Sequence, residues 1–140
     1  MKLSAKTEYA CLAMLELAAA YGSGDPVQIR RIADEHGIPS RFLVQILLQL
    51  KSASLTVSTR GAAGGYRLAR HPGEITLAEV IDVMDGDERP VTNAVKKTPL
   101  VGTLLELCTE LDEAQRDRLR ETTLADMVEM TSDREPMWYI

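Results

Sequence analysis

Ile32-Ala33-Asp34-Glu35-His36-Gly37-Ile38-Pro39-Ser40-Arg41-Phe42-Leu43, residues 32–43, reads as the end of one helix, a tight turn and the start of another. Two helices that cross closely need a small residue at the crossing, and Ala33 supplies it. The turn needs a residue that accepts a left-handed backbone, and Gly37 supplies that. The second helix needs an apolar side chain that packs back on the first, and Leu43 does so. The first helix extends from about Gln28 to Glu35, with Ile29, Ile32 and Ala33 on one side. The second opens at Pro39-Ser40 and runs to about Ala53, burying Leu43, Ile46, Leu47 and Leu50. Leu55–Arg60 alternates and is rich in β-branched residues. Gly61-Ala62-Ala63-Gly64-Gly65 and Tyr66–Ala69 follow, so the segment reads as a hairpin with a Gly-rich tip. A helix-turn-helix followed directly by a hairpin is a winged helix. The expected fold class is mostly α with a small β-hairpin wing.

Working outward, Lys2–Ala20 reads as a helix closed by the turn cluster Tyr21–Pro26. Thr76-Leu77-Ala78-Glu79 is a capping box that opens a helix through Met84. Asp85–Lys97 is polar and reads as a loop. Thr98-Pro99 starts a long helix, roughly Leu100–Glu121, with an apolar stripe of Leu100, Val101, Leu104, Leu105, Cys108 and Leu111. That stripe has no obvious partner in so small a domain, so the helix is the expected dimerisation element. Folding back on its own core, or swapped packing on the partner, are the other placements. Thr123-Leu124-Ala125-Asp126 opens a short last helix, and Asp133–Pro136 reads as a linker to the tail Met137-Trp138-Tyr139-Ile140. The division is a winged helix-turn-helix domain at 1–84, a loop and dimerisation helix at 85–131, and a tail at 132–140.

The net charge of -5 conceals an asymmetry. Residues 1–73 carry nine Lys/Arg and five Asp/Glu, net +4, and residues 74–140 carry seven and sixteen, net -9. A basic first half can face phosphates while the acidic half faces away. The first apolar stretch, Tyr9–Tyr21, contains Glu16 and is too short to span a bilayer, and no signal peptide is visible, so a cytoplasmic location is expected. Two cysteines, Cys11 and Cys108, are too few for a disulfide framework or a four-thiolate metal site. No nucleophile–base pair stands at recognisable spacing. The Gly-rich tip is not a phosphate loop, since no Lys-Ser/Thr follows it and no helix begins there. An enzyme is not expected.

The face of the second helix opposite its buried stripe carries Ser40, Arg41, Val44 and Gln45. Arg41 can reach guanine or phosphate, Gln45 can pair with adenine, and Val44 can touch a thymine methyl. Arg60 at the wing can enter a minor groove, with Gly61, Gly64 and Gly65 permitting close backbone approach. Lys2, Lys6 and Lys51 are expected phosphate contacts, which position without specifying. The competing reading is a solvated polar face with one stray valine, and an Arg60 that merely keeps a hairpin edge soluble.

These stretches resemble the Rrf-two family of bacterial winged-helix regulators, which includes the iron–sulfur cluster regulators. The resemblance is carried by Met1–Ala10, Ile32–Ile38, Arg60–Leu68, Ile75–Ile81 and Thr122–Asp126. It implies a homodimer that regulates genes by binding an imperfect palindrome in double-stranded DNA. Many members have Glu where this chain has Val44, so their operator preference does not carry over. Cluster-binding members place three cysteines between the helix at Thr76 and the long helix, and Asp85–Gly102 contains none. Cys108 then reads as a core residue, and no metal or other cofactor is expected. The alternative is a redox or metal-responsive regulator using Cys108, or a mixed-ligand cluster held by Glu8, His36 and Cys108 across a dimer. The resemblance is closest to the family's cysteine-metabolism repressors, which lack the cluster cysteines and end in an aromatic-rich peptide with a final isoleucine. It implies repression of cysteine and sulfur genes, and docking of Met137, Trp138, Tyr139 and Ile140 on cysteine synthase.

Overall fold

The computed structural model describes residues 1–86 and 91–138, with side chains through Arg134. The elements in order are α1 (Ala5–Ala19), α2 (Ile29–His36), α3 (Ser40–Ser52), β1 (Thr56–Thr59), β2 (Gly65–Leu68), α4 (Leu77–Asp85), α5 (Pro99–Glu121) and α6 (Leu124–Trp138). The fold class expected from the sequence is the one observed, a mostly helical chain with a two-stranded antiparallel wing.

α1 is the centre of the head. Ser4 caps it by accepting the Thr7 N–H at 3.2 Å. Thr7, Ala10, Cys11, Ala13, Met14, Leu17 and Ala18 are all buried, so α1 is covered on most sides by α3, α4 and α6. The Thr7 hydroxyl accepts from Ser4 Oγ and donates to Asp85, which joins the start of α1 to the end of α4.

The turn between α2 and α3 has the geometry its residues require. Gly37 has φ +65°, and its N–H bonds back to the Ala33 carbonyl. Ala33 is buried at the crossing, and Leu43, Ile46, Leu47 and Leu50 form the inner face of α3. α3 closes with Ser54 in the left-handed region at φ +62°, while the Leu55 N–H reaches the Leu50 carbonyl at 3.0 Å.

The wing pairs Thr56 with Leu68 through Thr59 with Gly65. A third strand position, absent from the sequence reading, is Val27. It exchanges two backbone hydrogen bonds with Tyr66, at 2.8 and 2.9 Å. Both glycines at the base of the tip are demanded by packing. A Cβ on Gly64 would lie 2.1 Å from the Thr59 carbonyl oxygen, and one on Gly65 would lie 2.4 Å from that of Val27.

The capping box at Thr76 is complete in both directions, with Glu79 reaching back to the Thr76 N–H. α5 begins as expected, with Thr98 capping and Pro99 in the first turn. No residue of α5 is buried. Val101, Leu105, Asp112, Arg116 and Leu119 are half-buried, and Arg116 lies 3.6 Å from Asp82 of α4. Leu100, Leu104, Leu107 and Leu111 are 83%, 64%, 52% and 57% exposed. Leu100, Leu104, Cys108 and Leu111 of the stripe therefore do not fold back on the chain's own core, while Val101 and Leu105 are half-covered. Cys108, read as a core residue, is exposed on this helix. A helical stripe shows that something apolar covers a face, not which molecule does so.

Beyond α5 the chain returns to the head. Leu77 N–H bonds to the Thr122 carbonyl and Leu124 N–H to the Ile75 carbonyl, and the Leu124 side chain is fully buried in the core. Thr123 and Asp126 cap α6 reciprocally. The expected linker Asp133–Pro136 is instead helical, since α6 runs to Trp138. Pro136 lies only two residues from the end of the helix, and the carbonyl it leaves without a donor belongs to exposed Ser132, where water can take its place. Tyr139 and Ile140 lie outside the described residues.

Candidate nucleic-acid interface

α3 presents Ser40, Arg41, Val44 and Gln45 outward, as its helical spacing requires. Val44 is 39% exposed. The Arg41 guanidinium carbon sits 5.0 Å above the ring of Phe42, which in turn stacks on Tyr9 at 6.4 Å between centroids. Arg41 is thus steadied by a cation–π contact rather than swinging free. Phe42, Tyr9, Ala5, Ile46, Lys6 and Gln45 line a shallow groove of about 370 Å³, which places Lys6 beside the reading face.

The wing is braced against the two helices. Lys51 Nζ donates to Ser58 Oγ at 2.7 Å, joining the end of α3 to β1. Gln28 Nε2 donates to the Ala62 carbonyl at 2.8 Å, joining the start of α2 to the wing tip. Arg60 and Gly61 are exposed at that tip. Gly64 is buried and Gly65 half-buried, so their missing side chains are explained by the hairpin's own packing. Lys2 stands apart from α3. It lines a cleft of about 380 Å³ with Asp82, Asp85, Arg116 and Arg120, between α4 and α5.

Three residues of this surface are given no part in it by the sequence reading. Leu48, 45% exposed, continues the line of Val44 and Gln45 by one helical turn. Phe42 and Gln28 organise Arg41 and the wing tip. The i, i+3, i+4, i+7 spacing from Arg41 contains the signal for Leu48.

Within one chain the residues considered for a sensor do not come together. His36 Nε2 lies 2.9 Å from Glu16 Oε1, a pairing of α2 with α1. Cys11 is buried. Its thiol is pushed up to about 11, mainly by burial and then by the nearby Asp85 and Glu8 carboxylates, so it stays protonated at neutral pH. Among the described residues, no three His, Cys, Asp or Glu side chains converge where a metal ion could be held.

A helix-turn-helix with an exposed reading face and a braced wing defines a winged-helix DNA-binding protein. A family model described as "Rrf2: Iron-dependent Transcriptional regulator" matches residues 3–130, and the chain belongs to the Rrf2 family. The Mycobacterium tuberculosis protein Rv1287, by name an HTH-type transcriptional regulator, is 41% identical over 131 residues, 91% of this chain and 81% of that one. The HTH-type transcriptional regulator CymR of Bacillus subtilis is 34% identical over the full length of both chains. Its solved structure, described as that of the global cysteine regulator of B. subtilis, superposes with a TM-score of 0.83 at 33% identity, covering 94% of this chain and 98% of that one. T. potens IscR superposes at 0.79 with 29% identity, over 99% and 97%. The chain is a DNA-binding transcription regulator of the Rrf2/CymR type and not an enzyme. No described helix is long and apolar enough to cross a membrane.

The iron in the family description does not suit the donors present. A thiolate-held cluster needs several accessible cysteines. One of the two here is buried and protonated, the other stands alone on α5, and residues 85–102 hold none.

Proposed function

We propose that the chain is a homodimeric, cytoplasmic repressor of cysteine and sulfur-metabolism genes. The observation that carries the dimer is the bare leucine line of α5. Leu100, Leu104, Leu107 and Leu111 recur at spacings of four, three and four, the seam of a two-helix coiled coil, and all are more than half exposed. Two copies joined there present two α3 helices to the half-sites of an imperfect palindrome. In each half-site Ser40, Arg41, Val44 and Gln45 face base edges. Lys6 and Lys51 take phosphates, as does Lys2 where the DNA reaches it. Arg60 and Gly61 approach the minor groove, with Gly64 and Gly65 shaping the loop beneath them.

Full-length similarity to CymR supports the cysteine regulon. The tail residues Met137, Trp138, Tyr139 and Ile140 are the proposed docking peptide for cysteine synthase. A terminal carboxylate is held there by the donors that otherwise hold an amino-acid substrate. The decisive experiment is a titration of cysteine synthase with the full chain and with a chain lacking Ile140, each with and without O-acetylserine. Binding that needs Ile140 and is displaced by O-acetylserine supports the docking. Equal binding by both chains refutes it.

The similarity to IscR and the exposed Cys108 favour one second reading, redox control through that thiol. Unchanged operator affinity after peroxide treatment, with Cys108 shown to be oxidised, eliminates it.

A further inference from the structure

Residues 41, 44, 45, 48 and 52 fall on one side of α3, opposite the fully buried Leu43, Leu47 and Leu50. Two of the five are aliphatic. Val44 is 39% exposed and Leu48 is 45% exposed. They stand one helical turn apart, about 6 Å along the axis. Around them the face is polar or cationic: Arg41 held over Phe42, Gln45, Ser52, and Lys51 tied to the wing.

An aliphatic pair at the middle of a DNA-reading face stays wetted unless an apolar group meets it. The major groove offers one such group, the C5-methyl of thymine. Bases on one strand are about 3.4 Å apart, so two side chains about 6 Å apart match thymines roughly two steps apart. The cations beside the pair suit phosphate on either side of a groove and fit an apolar protein surface poorly. We propose that Val44 and Leu48 together form an apolar reader of thymine methyl groups, and that Leu48 is a specificity-determining residue of this regulator. The operator half-site then carries thymines beneath this pair, and the methyl groups, not only the hydrogen-bonding edges, set its rank among sequences. This inference rests on the reading of α3 as the DNA-recognition helix.

The test begins with duplexes enriched from a random pool by the full-length protein. Each thymine of the enriched half-site is then replaced singly by deoxyuridine, which removes only the methyl group. One or two replacements should weaken binding about fourfold per methyl, or about fifteenfold when made in both half-sites. Leu48→Ala should abolish the loss at one thymine and Val44→Ala at the other, while discrimination at the positions read by Arg41 and Gln45 persists. Both side chains lie outside the core, and circular dichroism checks that the variants fold. If no replacement matters, or if the loss is the same in both variants, the proposal is overturned while the DNA reading stands. Failure to enrich any sequence overturns the reading of α3 itself, and the proposal with it.

Discussion

Consider the double variant Leu104→Ala/Leu107→Ala on α5. The two side chains are 64% and 52% exposed in the single chain, so that share of each leucine remains to be covered. Burying a whole leucine side chain stabilises by roughly 1.5–3 kcal/mol, which leaves about 1–2 kcal/mol for Leu104 and slightly less for Leu107. A two-fold seam counts each twice. Allowing for the methyl that alanine keeps, the double variant should weaken the dimer by about 3–6 kcal/mol. That raises the dimer dissociation constant about a hundredfold to ten-thousandfold. Neither side chain belongs to the core of the head, so far-ultraviolet circular dichroism should be unchanged. Sedimentation equilibrium over a wide concentration range reads the dissociation constant directly. Operator binding should fall in parallel and become steeper in protein concentration. A double variant that dimerises as tightly as the parent chain would refute the seam and leave the bare leucines of α5 without their proposed partner.

Three other outcomes are expected. Arg41→Ala and Gln45→Ala should each cost about 1–3 kcal/mol at a matched base pair, whereas Lys6→Ala should weaken all sequences alike and flatten the salt slope; fluorescence anisotropy at several salt concentrations separates them. Thr56→Val should raise the melting temperature, because the buried Thr56 hydroxyl finds no hydrogen-bond partner among the described residues and removing such a group recovers about 1–3 kcal/mol; calorimetry reads it. The Cys11 thiol is raised from 9.0 to about 11 in the fold, so the native state holds its proton longer than the unfolded chain does. Stability should therefore fall as pH rises from about 9 to about 11, a slope that Cys11→Ala lacks in denaturant titrations, and at pH 8 iodoacetamide should modify Cys108 alone.

The helix-turn-helix was legible because each of its requirements falls on one residue type: a small Ala33, a left-handed Gly37, an apolar Leu43. The capping boxes at Thr76 and Thr123 were legible for the same reason, being local and stereochemically specific. Val27 was not, since its pairing with Tyr66 uses backbone groups and leaves no pattern in a stretch dominated by turn residues. The wing glycines were visible, but their role was not. Gly64 and Gly65 could be meant for DNA or for packing, and only the closeness of the Thr59 and Val27 carbonyls distinguishes the two. Cys108 shows a second kind of limit. Periodicity placed it near an apolar stripe, but burial depends on which surface arrives there. Pro136 breaks a helix in its interior and much less when it lies two residues from the end, as it does in α6.

The pairing of Leu124 with Ile75 has a mechanical consequence. α6 does not hang from the head by a slack string. Its first residue is clamped in the core, and fifteen residues of helix then extend over about 22 Å. A load applied near Trp138 acts on a stiff arm seated on the core at Leu124 and Val128, so a small sideways pull becomes a torque on the stretch of chain beside Ile75 and on α1 beneath it.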